Sequence, residues 1–140
     1  MTKMNSYLTF NGNCREAMTF YAACLGGELT FQTIGESPLS NKMSQKMKNG
    51  ILHATISKDG FLLMGSDMVH ENGLMKGNNV SLSLSCTSEE EINKYYAKLS
   101  EGCSAKHSLE TSFWGALFGD LTDKFGTHWI LNYSKNTSNI

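Results

Sequence analysis

The sequence predicts an α+β fold made of two similar modules, each running strand, helix, strand, strand, strand. Three observations predict it. First, residues 20–27 read Phe-Tyr-Ala-Ala-Cys-Leu-Gly-Gly and residues 95–102 read Tyr-Tyr-Ala-Lys-Leu-Ser-Glu-Gly. In both places an aromatic pair and an alanine close a helical pattern and a glycine ends it, with the copies roughly half the 140-residue chain apart. Second, period-two and helical spacings follow one another in the same order in each half. Third, 140 residues with 40% hydrophobic and 18% charged side chains suffice for one compact unit with a real core. Two such halves can bury their apolar faces together, and seams of that kind are where ligand cavities form.

The elements follow from local chemistry. Tyr7-Leu8-Thr9-Phe10 alternates, which predicts a strand with Leu8 and Phe10 on one face and Tyr7 and Thr9 on the other. Asn11-Gly12-Asn13 is a turn with Asn13 as helix N-cap. Cys14, Ala17, Met18, Tyr21, Cys24 and Leu25 keep helical spacing until Gly26-Gly27 stops it. Residues 28–34 read as a second strand. Residues 35–50 are rich in Ser, Lys, Asn and Gly and hold the only proline, Pro38; they read as a long loop, either a lid or binding segment or a disordered stretch. Within it, Met43 and Met47 at i, i+4 suggest a helical turn with an apolar face, suited to closing a cavity, meeting a second subunit or simply packing the loop. Residues 51–57 are strand-like, Lys58-Asp59-Gly60 is a hairpin turn, and residues 61–65 return.

A polar connector, residues 67–79, leads to Val80-Ser81-Leu82-Ser83-Leu84-Ser85-Cys86, an alternation with one aliphatic face and one lined by serines. Ser88-Glu89-Glu90-Glu91 fits a capping box with acidic residues where the helix dipole favours them. Ile92, Tyr95, Tyr96 and Leu99 continue that helix to Gly102. A short strand near residues 103–107, an aromatic strand over 113–121, the turn Asp123-Lys124-Phe125-Gly126 and a last strand over 129–133 complete the module, and residues 134–140 read as a disordered tail. The whole is expected to be one domain, 1–140, with module 1 at about 5–67, a connector at 68–79 and module 2 at about 80–133.

Composition excludes some functions. Net charge is −1 and the isoelectric point about 6.4, so no basic surplus exists to neutralise phosphates and nucleic acid is not an expected partner. Lys42, Lys46 and Lys48 are better explained by a solvated loop. No apolar stretch approaches the roughly 20 residues of a spanning helix, and the start lacks the apolar core of a signal peptide, so the expectation is a cytoplasmic protein. Cys14, Cys24, Cys86 and Cys103 show no C-x-x-C spacing and are expected to be free thiols filling the core.

The duplicated order resembles the vicinal oxygen chelate superfamily of glyoxalases, extradiol dioxygenases and bleomycin-resistance proteins. Sequence detail narrows this to its PhnB-like branch. The segments are Tyr7 to Asn13 with Phe20-Tyr21, Leu52-His53-Ala54, Leu63-Met64-Gly65-Ser66-Asp67, Phe113-Trp114-Gly115-Ala116 and Gly119 to Trp129, covering residues 5–133. The resemblance implies paired βαβββ modules whose sheets curve into a cup with helices outside, a small organic molecule bound in the cup, and a homodimer. Members of this branch often carry a methyltransferase-type name, but the glycine-rich loop that nucleotide-cofactor folds place after a first strand is absent.

The superfamily's enzymes hold a divalent metal between the modules, with His or Glu ligands on the first and last strands of each. The matching positions here offer Asn5, Tyr7 and Thr9, then Ser81, Ser83 and Ser85, and Ile130 where a glutamate is usual. Hydroxyls hold such ions poorly, so no cofactor is expected. A rearranged site from His53, Asp67 and His128 is the route to the alternative, a metal-dependent glyoxalase- or dioxygenase-type enzyme.

The expected ligand lining is Tyr7, Thr9, His53, Ser81, Ser83 and Trp114. His53 is the candidate acid or base, because imidazole titrates near working pH; a purely structural hydrogen bond is the competing reading. Trp114 and Trp129 can either stack on a ligand or simply fill core, and of the two Trp114 is favoured as cavity wall. Asp67 is read as a cap of the turn that follows it. Glu110 is a surface carboxylate that could reach a cavity mouth.

Overall fold

The computed structural model describes residues 1–38, 41 and 44–135, without the side chains of Gln45 and Lys46. Lys42, Met43 and residues 136–140 lie outside the described residues. The chain divides into two compact units, Met1–Met75 and Lys76–Ile140. Each is a four-stranded mixed sheet with one long helix on one face, so the fold is α+β with two βαβββ modules.

In unit 1 the order is β1 (Ser6–Thr9), α1 (Cys14–Leu25), β2 (Glu28–Thr33), α2 (Gln45–Lys48), β3 (Ile51–Lys58) and β4 (Phe61–Ser66). The strands lie in the order β1-β4-β3-β2, with β1 parallel to β4 and the rest antiparallel. The helical spacing seen in the sequence becomes the buried face of α1: Cys14, Ala17, Met18, Tyr21, Cys24 and Leu25. With Phe10, Ala54, Ile56 and Leu63 they form the core of this unit. Asp59-Gly60 closes the β3–β4 hairpin as a two-residue turn, and Gly60 takes φ 97°, which side chains resist.

Unit 2 repeats the plan with β5 (Leu82–Cys86), α3 (Glu89–Leu99), β6 (Ala105–Thr111), β7 (Leu117–Thr122) and β8 (His128–Tyr133), in the order β5-β8-β7-β6 with β5 parallel to β8. Here α3 buries only Ile92 and Leu99. Burial of one such side chain contributes about 1.5–3 kcal/mol, so α3 draws less from packing than α1 and depends more on its ends. Ser88 Oγ accepts from Glu91 N–H, as the capping box predicts, while Glu91 reaches back to Thr87 N–H rather than to Ser88.

Several boundaries move. The expected strand over 113–121 begins only at Leu117, because Ser112 to Ala116 form the hairpin turn: Ser112 N–H and hydroxyl both donate to Ala116 carbonyl, and Gly115 N–H to Ser112 carbonyl. The strand before it is not short but runs Ala105–Thr111. Ser81 precedes β5, which starts at Leu82, and His128 lies in β8. The loop over 35–50 contains the single turn α2, whose Met47 is exposed. Asn13 occupies the N-cap position of α1 but makes no side-chain cap.

Candidate functional site

Alternation along each strand and the pairing register define an open face on the side of each sheet away from its helix. In unit 1, Tyr7 on β1 pairs with Met64, Met64 with Thr55 and Thr55 with Thr30, which sets these four side chains in one row. Tyr7 Oη lies 3.3 Å from His53 Nδ1, with ring centroids 5.7 Å apart and an interplanar angle of 36°. The tyrosine crosses the intervening β4 to meet the imidazole. Thr30 and Thr55 hydroxyls are 2.6 Å apart. Thr9 is exposed on the same face, two residues beyond Tyr7. Of the sequence-predicted residues, the structure therefore brings Tyr7 and His53 into contact and places Thr9 beside them.

Asp67 caps a different element from the one expected. Its Oδ1 accepts from Gly12 N–H at 2.9 Å and Cys14 N–H at 3.0 Å, and its Oδ2 from Ile51 N–H at 2.9 Å. It thus serves the first turn of α1 and the start of β3, not the turn that follows it. A cleft of about 590 Å³ opens beside it, lined by Ile34, Met47, Asn49, Met68 and Val69 among others. Since both carboxylate oxygens already accept N–H groups, Asp67 holds unit 1 together.

Unit 2 carries its own open face. Ser83 and Ser85 on β5 are exposed there, and Ser81 is exposed just before the strand. Trp114, 46% exposed, leans edge-on against Phe118 with centroids 5.5 Å apart, and against Phe113 at 4.8 Å. Trp129 is core: its Nε1–H donates to Asp123 Oδ2 at 2.8 Å. Asp123 is buried and its Oδ1 also accepts from Phe125 and Thr127 N–H, so the turn expected at 123–126 is organised around one carboxylate. His128 Nδ1 meets Thr122 Oγ1 at 2.7 Å and its Nε2 lies 3.2 Å from Gly77 carbonyl.

The pair that sequence reasoning missed is His107 with Asp120. Nδ1 and Oδ1 are 2.8 Å apart across β6 and β7. The hydrogen bond and the charge of Asp120 raise the imidazole pKa above its ordinary value. Period two along 118–120 puts Phe118 and Asp120 on one face. That His107 stands opposite could be known only from strand register.

Candidate metal donors are already engaged within their units: both oxygens of Asp67 and both ring nitrogens of His128. Among the described residues no group of three or more His, Cys, Asp or Glu side chains is placed to hold a metal ion. All four cysteines are free thiols. Burial, helped by the Asp67 charge, pushes the Cys14 pKa up to about 12. Burial, helped by the Glu91 charge, pushes Cys86 up to about 11. Neither is a nucleophile near neutral pH.

Residues 2–132 match the family model described as 3-demethylubiquinone-9 3-methyltransferase. Protein YjdN of Escherichia coli K12 is 30% identical over 94% of this chain and 95% of its own. The crystal structure of PA1353 from Pseudomonas aeruginosa is 37% identical, with a TM-score of 0.82 over 96% of this chain and 98% of that one. A PhnB protein from Bacillus cereus, carrying the same methyltransferase description, is 26% identical with a TM-score of 0.73 over 95% and 100%. A bleomycin-binding protein solved with bleomycin shares the fold at 15% identity, with a TM-score of 0.59 over 96% and 100%.

Proposed function

The chain belongs to the 3-demethylubiquinone-9 3-methyltransferase family, the PhnB-like branch of the glyoxalase/bleomycin-resistance/dioxygenase superfamily, and from that premise we propose that it binds a small organic molecule on its open sheet faces without the superfamily's usual catalytic metal. The observation that carries this is the Tyr7–His53 pair, a hydroxyl and an imidazole 3.3 Å apart on the open face that also carries Met64. A few polar groups set among apolar walls suit orientation of a small ligand. On this reading Tyr7, Thr9 and His53 contact ligand in unit 1, with His53 the candidate acid or base. Ser81, Ser83 and Trp114 are the contributors of unit 2. The distant fold relative that binds bleomycin supports small-molecule binding as the class of function. Donor chemistry supports the metal-free form, because hydroxyls stand where the superfamily's ligands are expected.

No helix among the described residues is long and apolar enough to cross a membrane. The superfamily resemblance supports a homodimer, and a cytoplasmic location belongs to the same proposal. Sedimentation velocity returning a monomer at micromolar concentration would remove the dimer.

A thermal-shift screen of aromatic amphiphiles tests the main reading, since a ligand specific for the native state raises the melting temperature. The expected result is a ligand whose shift is lost in His53→Ala and reduced in Tyr7→Phe, with unchanged far-UV circular dichroism. Stoichiometric zinc, nickel, manganese or iron purifying with the wild type and lost in His53→Ala would overturn the metal-free reading in favour of the metal-dependent alternative.

A further inference from the structure

We propose that the open face of unit 2 is a recognition site for planar, uncharged ligands that present an N–H or O–H donor at their edge, with His107 and Glu110 as acceptors and the Trp114–Phe118 pair as the ring platform. The proposal rests on the small-molecule reading above and gives its ligand a chemistry.

The site is built by a strand irregularity. His107 pairs with Asp120 and Glu110 with Phe118, so three steps on β6 match two on β7. In a regular strand, side chains at i and i+3 point to opposite faces. The bulge between them turns both His107 and Glu110 to the face of Asp120 and Phe118. Gly119 makes this possible: a Cβ there would stand 2.8 Å from Leu109 Cδ2 and 3.1 Å from His107 carbonyl oxygen. Bulges recur beside functional sites because they re-aim side chains in this way.

The polar atoms are matched in kind. Asp120 takes the Nδ1–H of His107 and fixes the tautomer, leaving Nε2 as an acceptor turned to solvent. Glu110 adds a second, exposed acceptor. Two carboxylates repel anionic ligands, so an edge bearing donors is preferred over a carboxylate or phosphate. Trp114 and Phe118 supply aromatic surface suited to a flat ring.

Protonation inverts the site, since an imidazolium donates at Nε2. Asp120 on β7 sets this; the other titratable groups around the ring are Glu110 and Lys106 on β6 itself and Tyr96 of α3, whose hydroxyl donates to the His107 carbonyl at 3.0 Å. His128, further along, is tied to Thr122 and Gly77.

Three probes sharing one ring test the proposal: 2-naphthol, 2-methoxynaphthalene and 2-naphthoate, titrated by fluorescence against the full chain. Above the His107 pKa, 2-naphthol is expected to bind most tightly and 2-naphthoate least. Below it, the naphthol preference over naphthoate falls by up to about tenfold per pH unit, while methoxynaphthalene, whose ether oxygen can only accept, gains affinity rather than losing it. His107→Gln abolishes the pH dependence, Asp120→Asn moves it to lower pH, and Trp114→Ala weakens all three probes alike. Equal, pH-independent binding of the three overturns the proposal, as does binding unaffected by His107→Gln. Absence of all naphthyl binding also overturns it. In that case a library ligand that still raises the melting temperature through His53 leaves the broader reading standing.

Discussion

The two units share one topology, yet equivalent positions carry different chemistry. Thr30 faces Thr55 in unit 1, and His107 faces Asp120 in unit 2, each pair joining an edge strand to the next. The first is a neutral hydroxyl contact indifferent to pH near neutrality; the second titrates. The imidazole of unit 1, His53, sits instead at the position matching Phe118 and partners a tyrosine. The hairpins differ likewise. Asp59-Gly60 turns in two residues, whereas the β7–β8 turn is longer and wraps its backbone around buried Asp123. Helix starts differ too: α1 is capped from far in sequence by Asp67, and α3 from next door by Ser88. One frame therefore tolerates exchange of its polar fasteners and of its open-face groups as long as the apolar alternation is kept.

The largest expected effect of breaking this comparison is in the turn of unit 2. Asp123→Ala removes the acceptor of two buried donors, the Phe125 N–H and the Trp129 indole, and of the half-buried Thr127 N–H, and should cost about 3–5 kcal/mol by urea denaturation. Asp59→Ala, in the exposed turn of unit 1, should change stability by less than about 0.5 kcal/mol. Next comes Asp67→Ala, which uncaps α1 and frees Ile51 N–H, at about 2–3 kcal/mol. Ser88→Ala should cost about 1 kcal/mol, with hydrogen exchange accelerating first in the opening turn of α3.

The smallest effect on stability, and the most discriminating, is the titration of His107. Its folded pKa is raised, so the native state holds this proton more tightly than the unfolded chain. The pair's contribution is full below the ordinary histidine value and is lost as pH rises through the raised one. NMR titration of the ring should place its pKa above that of an unperturbed histidine, and Asp120→Asn should return it to the ordinary range. A His107 that titrates identically in both proteins would show that the 2.8 Å contact does not persist in solution.

The sequence by itself determined the duplicated strand–helix–strand order, the buried face of α1, the hairpin at Asp59-Gly60 and the box at Ser88. All rest on spacing within a few residues, where alternation, helical period and capping act locally. Tertiary structure decided which distant groups meet. Tyr7 reaches His53 only because β1 joins the sheet beside β4, in a register that lets the tyrosine span that strand to β3. Asp67 caps α1 only because β1 and β4 run parallel, which brings their C-terminal ends together. His107 and Glu110 share a face only because the strand bulges over Gly119, and Phe113 and Trp114 leave the expected strand because Ser112 closes a turn around them. Strand order, register and bulges are set by summed packing of residues far apart in the chain, and local propensity carries no record of them.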